Sequence, residues 1–506
     1  MRLVGRDSGL NPRPRGGVVT TMVTPPRIVA AVLPWFALTA SAAVPVEPDP
    51  HAHARQLIAT HCVTCHNQNL VGGPAPNLLD PIARHGGNDE ALRRSIREGF
   101  PATGMPAFGD ILSEADTGAV LRFIRHAQRE YAAGRIKHAE PPAQAPVPTR
   151  LHGARLETVV SGLGTPWGLE LLPDGGMLIS EREGRLLLVP AGGGAPVLVA
   201  GTPATQVRQD GGYLDVTLHP RFAANGWVYL AYTEVGPRAG TSGTVVVRGR
   251  IAGGRWTDQE LLFRGPDATY VEDTSHYGCR FLWDPAGNLF FTLGDRGVPA
   301  AAQDLGSPLG KILRLRDDGG IPADNPFAGR PGAWPSVWSY GHRHVQGLEY
   351  HPATGQLWAT EHGPRGGDEL NRIEAGANYG WPVASAGLDR TLSFTAGEPG
   401  MRPPLRHWTP SVAPSAIAFG TGAAFPRWRN HLFIGCLGGE QLKRLELDGD
   451  AVRDEEIVFQ GHGRVRDVRF APDGTLLLVL NQPGRIARLV PDPSVPLANP
   501  ATVSTR

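Results

Sequence analysis

Two cysteines separated by two residues and followed directly by a histidine, Cys62-Val-Thr-Cys65-His66, constrain this chain more than any other feature. The spacing is typical of covalent c-type haem attachment, in which both sulfurs bond to the haem and the histidine ligates the iron. A redox-active dithiol would need a thioredoxin-like context, and a zinc site would need a second pair of ligands. Neither pattern occurs nearby, so we expect Cys62 and Cys65 to hold one haem c and His66 to bind its iron.

The residues around this motif predict a small all-α domain of the class I cytochrome c type over residues 43–137. A capping-box pattern at Ser113 and Asp116 indicates the start of its third helix, in which Val120, Leu121, Ile124 and Ala127 recur at helical spacing. The other two helices are expected at residues 52–60 and 89–98, and the second of these should end at Gly99.

Met105 is the only methionine of this domain and lies in a Met-Pro loop between the second and third helices. The loop resembles the one that supplies the distal haem ligand in class I cytochromes c, so Met105 is predicted to be the sixth ligand. A thioether ligand raises the haem potential, which suits an electron acceptor. If Met105 only packs in the core, His85 or His126 would take the position, or the site would be open.

The N-terminus predicts a signal peptide over residues 1–42. Arg27 precedes the apolar stretch 28–38, and Ala40-Ser41-Ala42 has the small-x-small pattern of a cleavage site. Met22 is an alternative start. The apolar stretch is shorter than a membrane span requires, so no stable span is expected. Export agrees with c-type haem, which bacteria attach outside the cytoplasm, and the prediction is a periplasmic protein.

Composition narrows the class of the remaining chain. A net charge of +1 offers no basic footprint for nucleic acid, and 65 glycines with 47 prolines indicate a turn-rich β protein. Four prolines in Glu140–Pro148 predict a stiff, extended linker over residues 138–150. The two remaining cysteines, Cys279 and Cys436, do not make a disulfide framework. We expect buried thiols there, although a pair is the alternative.

A recurring unit of apolar strand, Pro-containing turn and second strand predicts a six-bladed β-propeller over residues 151–492, followed by a tail at 493–506. Each unit cannot bury its own faces, so the units must stack in a ring. A β-helix is the weaker alternative, because its period would be shorter and more even. The six units are Trp167–Met177, Leu214–Val228, Phe281–Phe290, Leu348–Trp358, Ile417–Leu432 and Val468–Leu476.

Ordered motifs in the propeller region carry a family resemblance. They are Gly310–Leu315, Ile321–Phe327, Glu361–Asn371, Asn378–Pro382, Val412–Ser415 and Arg464–Val468. In these motifs the chain resembles the soluble quinoprotein glucose and aldose sugar dehydrogenases, which bind pyrroloquinoline quinone (PQQ). The resemblance covers most of residues 155–492 and is closest to the aldose dehydrogenases.

The resemblance implies roles for five side chains. His276 matches the family's catalytic base, a task that suits an imidazole near neutral pH. Arg343, Arg464 and Arg466 match PQQ contacts, and guanidinium groups pair well with the three carboxylates of PQQ. Trp408 resembles an aromatic residue that flanks the cofactor. Without the resemblance, these would read as a loop histidine, three surface charges and a core tryptophan.

The resemblance also implies calcium. One ion, which polarises the quinone, would be bound by the backbone carbonyls of Gly363 and Pro364, and a second, structural ion by Glu369 and Tyr379. Hard oxygen ligands of this kind suit Ca²⁺. Asp368 is either a further ligand or a solvated loop charge.

Three positions depart from the family pattern. A PQQ-contacting glutamine corresponds to Asp210, an asparagine to His344, and a lysine that holds the quinone to Gly438. An aspartate that faces a tricarboxylate repels it unless the aspartate is protonated or binds calcium. The departures predict that PQQ binds weakly or differently, or is absent.

These observations predict a periplasmic oxidoreductase that oxidises aldoses at the anomeric carbon to lactones, with PQQ and Ca²⁺ as cofactors. Electrons would pass to the haem c and then to a downstream cytochrome or terminal oxidase. Sorbosone-type aldehydes are further candidate substrates. Two alternatives stay open: a calcium-dependent lactonase, and a redox-linked propeller that binds a glycan or partner without PQQ.

Overall fold

The computed structural model describes residues 49–62, 66, 70, 78–79, 88–100, 105–133, 143–387 and 397–498. The predicted signal peptide, Cys65, His85 and residues 499–506 lie outside this set. No helix within the described ranges is long and apolar enough to cross a membrane.

The predicted helices of the N-terminal domain are confirmed, and their ends have clear local causes. The side chain of Asn88 accepts a hydrogen bond from the Ala91 N–H at 2.8 Å, and Gly99 ends that helix with a φ of 61°. Ser113 and Asp116 form the expected capping box. The helices are α1 (Ala52–His61), α2 (Asp89–Glu98) and α3 (Glu114–Ala132).

Apolar side chains of the three helices form one small core. Ile58 of α1, Ile96 of α2 and Phe123 and Ile124 of α3 are buried together. The predicted apolar stripe of α3 is buried throughout, since Val120, Leu121, Ile124 and Ala127 are each at most 5% exposed. The helical periodicity therefore identified the face of α3 that packs.

The rest of the described chain is built from antiparallel strands. Twenty-five strands are described, and they form six sheets. In chain order they are β1 (Gln144–Pro148), β2 (Gly153–Val160), β3 (Pro166–Leu171), β4 (Met177–Glu181), β5 (Arg185–Val189), β6 (Val197–Leu198), β7 (Tyr213–Leu218), β8 (Val228–Val235), β9 (Ser242–Ala252), β10 (Arg255–Arg264), β11 (Phe281–Trp283), β12 (Asn288–Leu293), β13 (Lys311–Arg316), β14 (Val337–Tyr340), β15 (Val345–Tyr350), β16 (Leu357–Glu361), β17 (Asp368–Ile373), β18 (Arg406–Trp408), β19 (Pro414–Phe419), β20 (Leu432–Cys436), β21 (Gln441–Asp448), β22 (Ala451–Gln460), β23 (Val465–Phe470), β24 (Leu476–Asn481) and β25 (Gly484–Pro491). Short helical turns connect some of them, namely α4 (Phe222–Asn225) and the 3₁₀ turns Asp267–Thr269, Pro299–Ala302, Pro426–Trp428 and Gly438–Glu440.

The six sheets are the blades of a six-bladed propeller, as predicted. Blades one to five each contain four consecutive strands, β3–β6, β7–β10, β11–β14, β15–β18 and β19–β22. Each repeat read from the sequence falls on the first two strands of one blade. The sixth blade joins both ends of the domain, because β2 pairs with β25 in the order β1-β2-β25-β24-β23. This pairing closes the ring.

Part of the predicted linker is a strand instead. Residues 144–148 form β1, which pairs along its whole length with β2 as a fifth strand of the last blade. Ala145 and Val147 point inward, while Pro146 stands at the sheet edge, where no ladder donor is required. The prediction of a linker over 138–150 was therefore wrong for these residues, because a sheet edge tolerates prolines and β2 supplies the pairing partner.

Aromatic and aliphatic clusters fill the spaces between neighbouring blades, and they include the two remaining cysteines. Cys279 and Cys436 are fully buried in different clusters, and both are free thiols. Burial raises the pKa of the Cys436 thiol to about 12. The expectation of ordinary buried thiols is confirmed, and a disulfide between them is excluded.

Candidate functional site

The haem motif lies at the end of α1. The His66 N–H donates to the Cys62 carbonyl at 2.9 Å, so the two residues are one helical turn apart. His66 is 7% exposed, and Cys62 packs beside the core of the helical domain. The predicted thioether residue and iron ligand therefore lie on adjacent turns; Cys65 is outside the described residues.

The loop with Met105 is held in a defined place. Met105 and Phe100 exchange backbone hydrogen bonds of 2.8 and 3.2 Å. A Cβ on Gly99 would lie 2.4 Å from the Pro106 carbonyl oxygen, so only glycine allows this close approach. The alternative ligand His126 has its ring stacked on His51, with centroids 4.7 Å apart. Ligation of the iron by Met105 stays a prediction.

In the propeller, His276 forms a pair with Asp295. His276 Nδ1 lies 2.7 Å from Asp295 Oδ1, and the Trp381 indole N–H donates to Asp295 Oδ2 at 2.8 Å. Burial by itself raises the pKa of Asp295, but the hydrogen bond from His276 and the charges of His276 and Arg343 outweigh it and hold that pKa below 3.8. An ionised Asp295 accepts a hydrogen bond from Nδ1–H, which keeps that proton on Nδ1 and leaves the lone pair of His276 on Nε2.

The backbone at His276 is in the left-handed region, with a φ of 54°. Few residues other than glycine adopt this conformation, although histidine does so more often than most, and it persists only when surrounding contacts hold it. Gly294 allows one of these contacts, because a Cβ at that position would lie 2.2 Å from the His276 carbonyl oxygen. The segment 294–297 thus packs against His276 through both its backbone and its imidazole.

Two further histidines lie beside the pair. The His344 ring stacks on His276 with centroids 4.9 Å apart, and His362 meets His344 edge-on at 5.2 Å. Burial, reinforced by neighbouring positive charges, lowers the pKa of both His344 and His362 well below 6.5. Both imidazoles are therefore neutral, and they add no charge to the site.

Arginines concentrate near the His276–Asp295 pair and His344. Arg466 Nη1 donates to Gln346 Oε1 at 2.7 Å, and the guanidinium of Arg343 lies 5.3 Å over the Trp381 ring. Burial and then the charges of Arg464 and Arg280 lower the pKa of Arg466 to about 9.

This surplus of positive charge suits an anionic ligand. Arg466 Nε and His344 Nδ1 are buried nitrogens that have no hydrogen-bond partner among the described residues. An anion with several acceptor oxygens would satisfy such donors and offset the mutual repulsion of the arginines. The residues present therefore fit a polycarboxylate such as PQQ.

One pocket is lined by five of the nine propeller residues to which the resemblance gives a role, but not by His276, Arg464, Arg466 or Trp408. Its lining includes Arg343, Gly363, Pro364, Glu369, Tyr379 and Trp381. The Gly363 N–H donates to Asp368 Oδ1 at 3.0 Å, so Asp368 is a buried structural acceptor for this loop instead of a solvated charge.

Two carboxylates at the base of this pocket lie close together. The Asn371 side-chain nitrogen donates to Glu361 Oε1 and to Glu369 Oε2, each at 3.1 Å. Burial and the charge of Glu361 raise the pKa of Glu369 well above 4.5. Asn371 Oδ1 is buried and has no hydrogen-bond partner among the described residues.

Oxygen-rich, negatively charged surroundings of this kind suit a hard cation. Within the described ranges, no three His, Cys, Asp or Glu side chains form a metal-binding group by themselves. A calcium ion would therefore depend on backbone carbonyls. The Tyr379 hydroxyl is already used, since it donates to the Arg372 carbonyl at 2.6 Å.

Trp408 does not join this group. Its ring packs with Trp358 and Leu370 in a hydrophobic cluster, and its indole N–H donates to Glu455 Oε1 at 3.0 Å. This position fits core packing, which was the alternative reading. Trp381 lines the pocket instead, and neither it nor Asp295 was predicted to be a site residue. The available signals were the position of Trp381 inside the motif Asn378–Pro382 and that of Asp295 in the loop Gly294–Gly297, which has a glycine at each end.

The remaining departures from the family pattern have clear positions. Asp210 is exposed, and its N–H donates to the Thr274 carbonyl at 3.2 Å, near His276. The Gly438 N–H donates to the Val412 carbonyl at 2.9 Å, and a Cβ at Gly438 would come within 2.9 Å of that carbonyl group. At position 438 the backbone of blade five therefore packs against the segment that precedes β19, and it presents no cation.

Comparisons with known proteins agree with this geometry. Residues 163–502 match the family Glucose / Sorbosone dehydrogenase, and residues 49–124 match Cytochrome C oxidase, cbb3-type, subunit III. The aldose sugar dehydrogenase YliI of Escherichia coli is 39% identical over 336 residues, which are 65% of this chain and 90% of the relative. The uncharacterized protein slr1608 of Synechocystis sp. is 41% identical over 355 residues, 65% of this chain and 85% of the relative.

A solved structure is similar too. The PQQ-bound aldose sugar dehydrogenase from Streptomyces coelicolor superposes with a TM-score of 0.56 at 31% identity, covering 70% of this chain and all of that one. The chain therefore belongs to the glucose/sorbosone dehydrogenase family of oxidoreductases, and it carries an N-terminal cytochrome c domain.

Proposed function

We propose that this protein is a periplasmic, PQQ-dependent aldose dehydrogenase that delivers electrons to its own covalently bound haem c. The observation that carries the proposal is the His276–Asp295 pair beside several arginines, with the buried nitrogens Arg466 Nε and His344 Nδ1 lacking a hydrogen-bond partner among the described residues. The names of relatives support it, since one is an aldose sugar dehydrogenase and a similar structure was solved with PQQ bound.

His276 is the base of the proposed reaction. Its Nε2 lone pair takes the proton of the anomeric hydroxyl, while Nδ1–H stays bonded to Asp295 at 2.7 Å. The Asp295 carboxylate stabilises the imidazolium that forms, and Trp381 fixes that carboxylate from its other oxygen. Removal of this proton favours loss of hydride from the same carbon, and the product is a lactone.

Arg343, Arg464 and Arg466 would hold the carboxylates of PQQ. When bound, PQQ supplies the hydride acceptor, and haem c supplies an acceptor of single electrons. The side chains of His344 and His362 are neutral, so they leave the positive charge that these arginines offer to PQQ unchanged. Asp210 is exposed and adds negative charge near Arg466, so we expect weaker PQQ binding than the arginines alone would give.

Calcium would bind at the Gly363 and Pro364 carbonyls and near Glu369. The strongest argument for a cation there is that the carboxylates of Glu361 and Glu369 both accept a hydrogen bond from the Asn371 side-chain nitrogen and therefore lie close together. Their mutual repulsion would be relieved by a divalent ion at the same pocket.

Cys62, Cys65, His66 and Met105 would attach and ligate the haem. Electrons would leave it for a soluble cytochrome or a terminal oxidase, and the predicted signal peptide would place the reaction outside the cytoplasm. A fused haem domain gives a two-electron enzyme an immediate acceptor.

The test is to add PQQ, Ca²⁺ and aldoses anaerobically to the purified haem-loaded protein and follow the haem absorption band. Reduction that needs all three additions, is lost in His276→Ala and persists in His351→Gln is the expected result. His351 is the matched control because it lies in a turn between β15 and β16 and accepts backbone hydrogen bonds there. Absence of PQQ binding by calorimetry, with lactone hydrolysis in its place, would contradict the proposal.

A further inference from the structure

Arg296 is a buried arginine whose contacts lie around His276. Its side chain is 2% exposed, and its guanidinium donates to three backbone carbonyls. Nε donates to Ser275 at 2.8 Å, Nη1 to Ser242 at 3.0 Å and Nη2 to Asp273 at 2.5 Å. Among described residues, no carboxylate lies within ion-pair distance of it.

The residue after His276 completes this arrangement. The Arg296 guanidinium lies 3.6 Å from the centroid of the Tyr277 ring. The Tyr277 hydroxyl is 2.6 Å from Ser242 Oγ, and the Thr244 hydroxyl donates to the Tyr277 carbonyl at 2.8 Å. Arg296 therefore ties the segment 273–277 to β9 of the neighbouring blade.

The same short loop contacts His276 in two ways. Asp295 binds the imidazole, and the next residue, Arg296, binds the Ser275 carbonyl before His276 and the Tyr277 ring after it. His276 has a φ of 54°, a conformation that persists only when surrounding contacts enforce it. The described partners of the Arg296 guanidinium are three carbonyls, the Ser242 hydroxyl and an aromatic face, all of them neutral, so this buried group fixes the position of the loop and forms no ion pair.

We propose that Arg296 is the positioning residue that fixes the His276 backbone in its left-handed conformation and so aligns the imidazole with Asp295. The proposal rests on the proposed function for its catalytic consequence. Lysine cannot replace Arg296, because a single ammonium cannot reproduce a planar fork that reaches three carbonyls around the loop.

Arg296→Lys tests the proposal, with Arg314→Lys as the matched control. Arg314 is 5% exposed and lies on β13 of the same blade, but its guanidinium binds Asp284 in the turn between β11 and β12. We expect Arg296→Lys to lower kcat about a hundredfold, as small misplacements of catalytic groups do, with KM for the aldose and the Kd for PQQ changed less than threefold. Arg314→Lys should lower the melting temperature and leave kcat within twofold.

Hydrogen exchange in the absence of sugar and PQQ separates this proposal from the proposed function. Amides of segment 273–277 should exchange at least tenfold faster in Arg296→Lys than in the wild type, and at wild-type rates in Arg314→Lys. A kcat within twofold of wild type in Arg296→Lys would overturn the proposal. If the wild type oxidises no aldose, the proposed function fails, and unchanged exchange at 273–277 would then overturn the positioning role as well.

Discussion

Replacing Asp295 with asparagine tests the proposed base most sharply, because all three donors around that carboxylate are known. Oδ1 accepts from His276 Nδ1–H at 2.7 Å and from the Gly297 N–H at 3.1 Å, while Oδ2 accepts from the Trp381 indole at 2.8 Å. A side-chain amide has one acceptor oxygen and one NH₂ group, so in either orientation its NH₂ group faces an N–H donor that the carboxylate had accepted from. The oxygen should face His276 and Gly297, because that orientation satisfies two donors and leaves only Trp381 in conflict.

In this orientation His276 keeps its Nδ1 proton, and the loss is that of a buried charge-assisted hydrogen bond. Such a bond contributes about 1.5–3 kcal/mol, and each 1.4 kcal/mol corresponds to a tenfold rate change. We therefore expect Asp295→Asn to lower kcat about 10- to 150-fold. The opposite orientation would place the proton on Nε2 and abolish the base, with a loss of about 10⁴-fold.

The assay is aldose-dependent reduction of the haem under saturating PQQ and Ca²⁺. The double variant Asp295→Asn with Trp381→Phe removes the conflicting indole donor, so it should be no less active than Asp295→Asn alone. A kcat for Asp295→Asn within twofold of wild type would refute the assignment of His276 as a base oriented by this carboxylate.

Arg466→Gln should raise the Kd for PQQ about tenfold or more, because it removes a charge-assisted donor from a buried site, and calorimetry with unchanged affinity would contradict this. Met105→Ala should lower the haem reduction potential, since the thioether raises it, and a redox titration with no downward shift would exclude Met105 as a ligand. Calcium at about 100 times its Kd should stabilise the propeller by about 2.7 kcal/mol, seen as a higher melting temperature that chelator reverses and Glu369→Gln abolishes; a shift that survives in this variant would place the ion elsewhere. The pKa of Asp295 lies below 3.8 in the folded protein, so its contribution to stability is present above that pH and is lost as pH falls through the lower folded value. Asp295→Asn should therefore weaken the loss of stability below pH 3.8 in denaturant titrations, and an identical acid limb would argue against an ionised Asp295.

Repeating local patterns made the architecture predictable. The Pro-containing turns gave the number of blades because each follows the first strand of a blade, and Ser113 and Gly99 marked helix ends through backbone chemistry that needs no tertiary contact. The segment 144–148 shows where such reasoning fails. Whether prolines there form a free linker or an edge strand depends on β2, which supplies the pairing partner.

The site was predictable only in part, for a related reason. The family resemblance identified His276 and Arg466. It did not identify the tryptophan at the pocket, because the sequence does not say whether the ring of Trp381 or that of Trp408 faces it. The roles of Asp295 and Gln346 depend on contacts between strands and loops far apart in the chain. Such contacts carry no local pattern.

The most direct test of the account is the rate of haem reduction after rapid mixing of the PQQ- and Ca²⁺-loaded protein with aldose. If the sugar is oxidised and the electrons reach the haem of the same chain, reduction is first order and its rate constant stays the same on tenfold dilution of the protein. An observed rate constant that falls in proportion to protein concentration, or haem that stays oxidised while sugar is consumed, would contradict transfer within one chain.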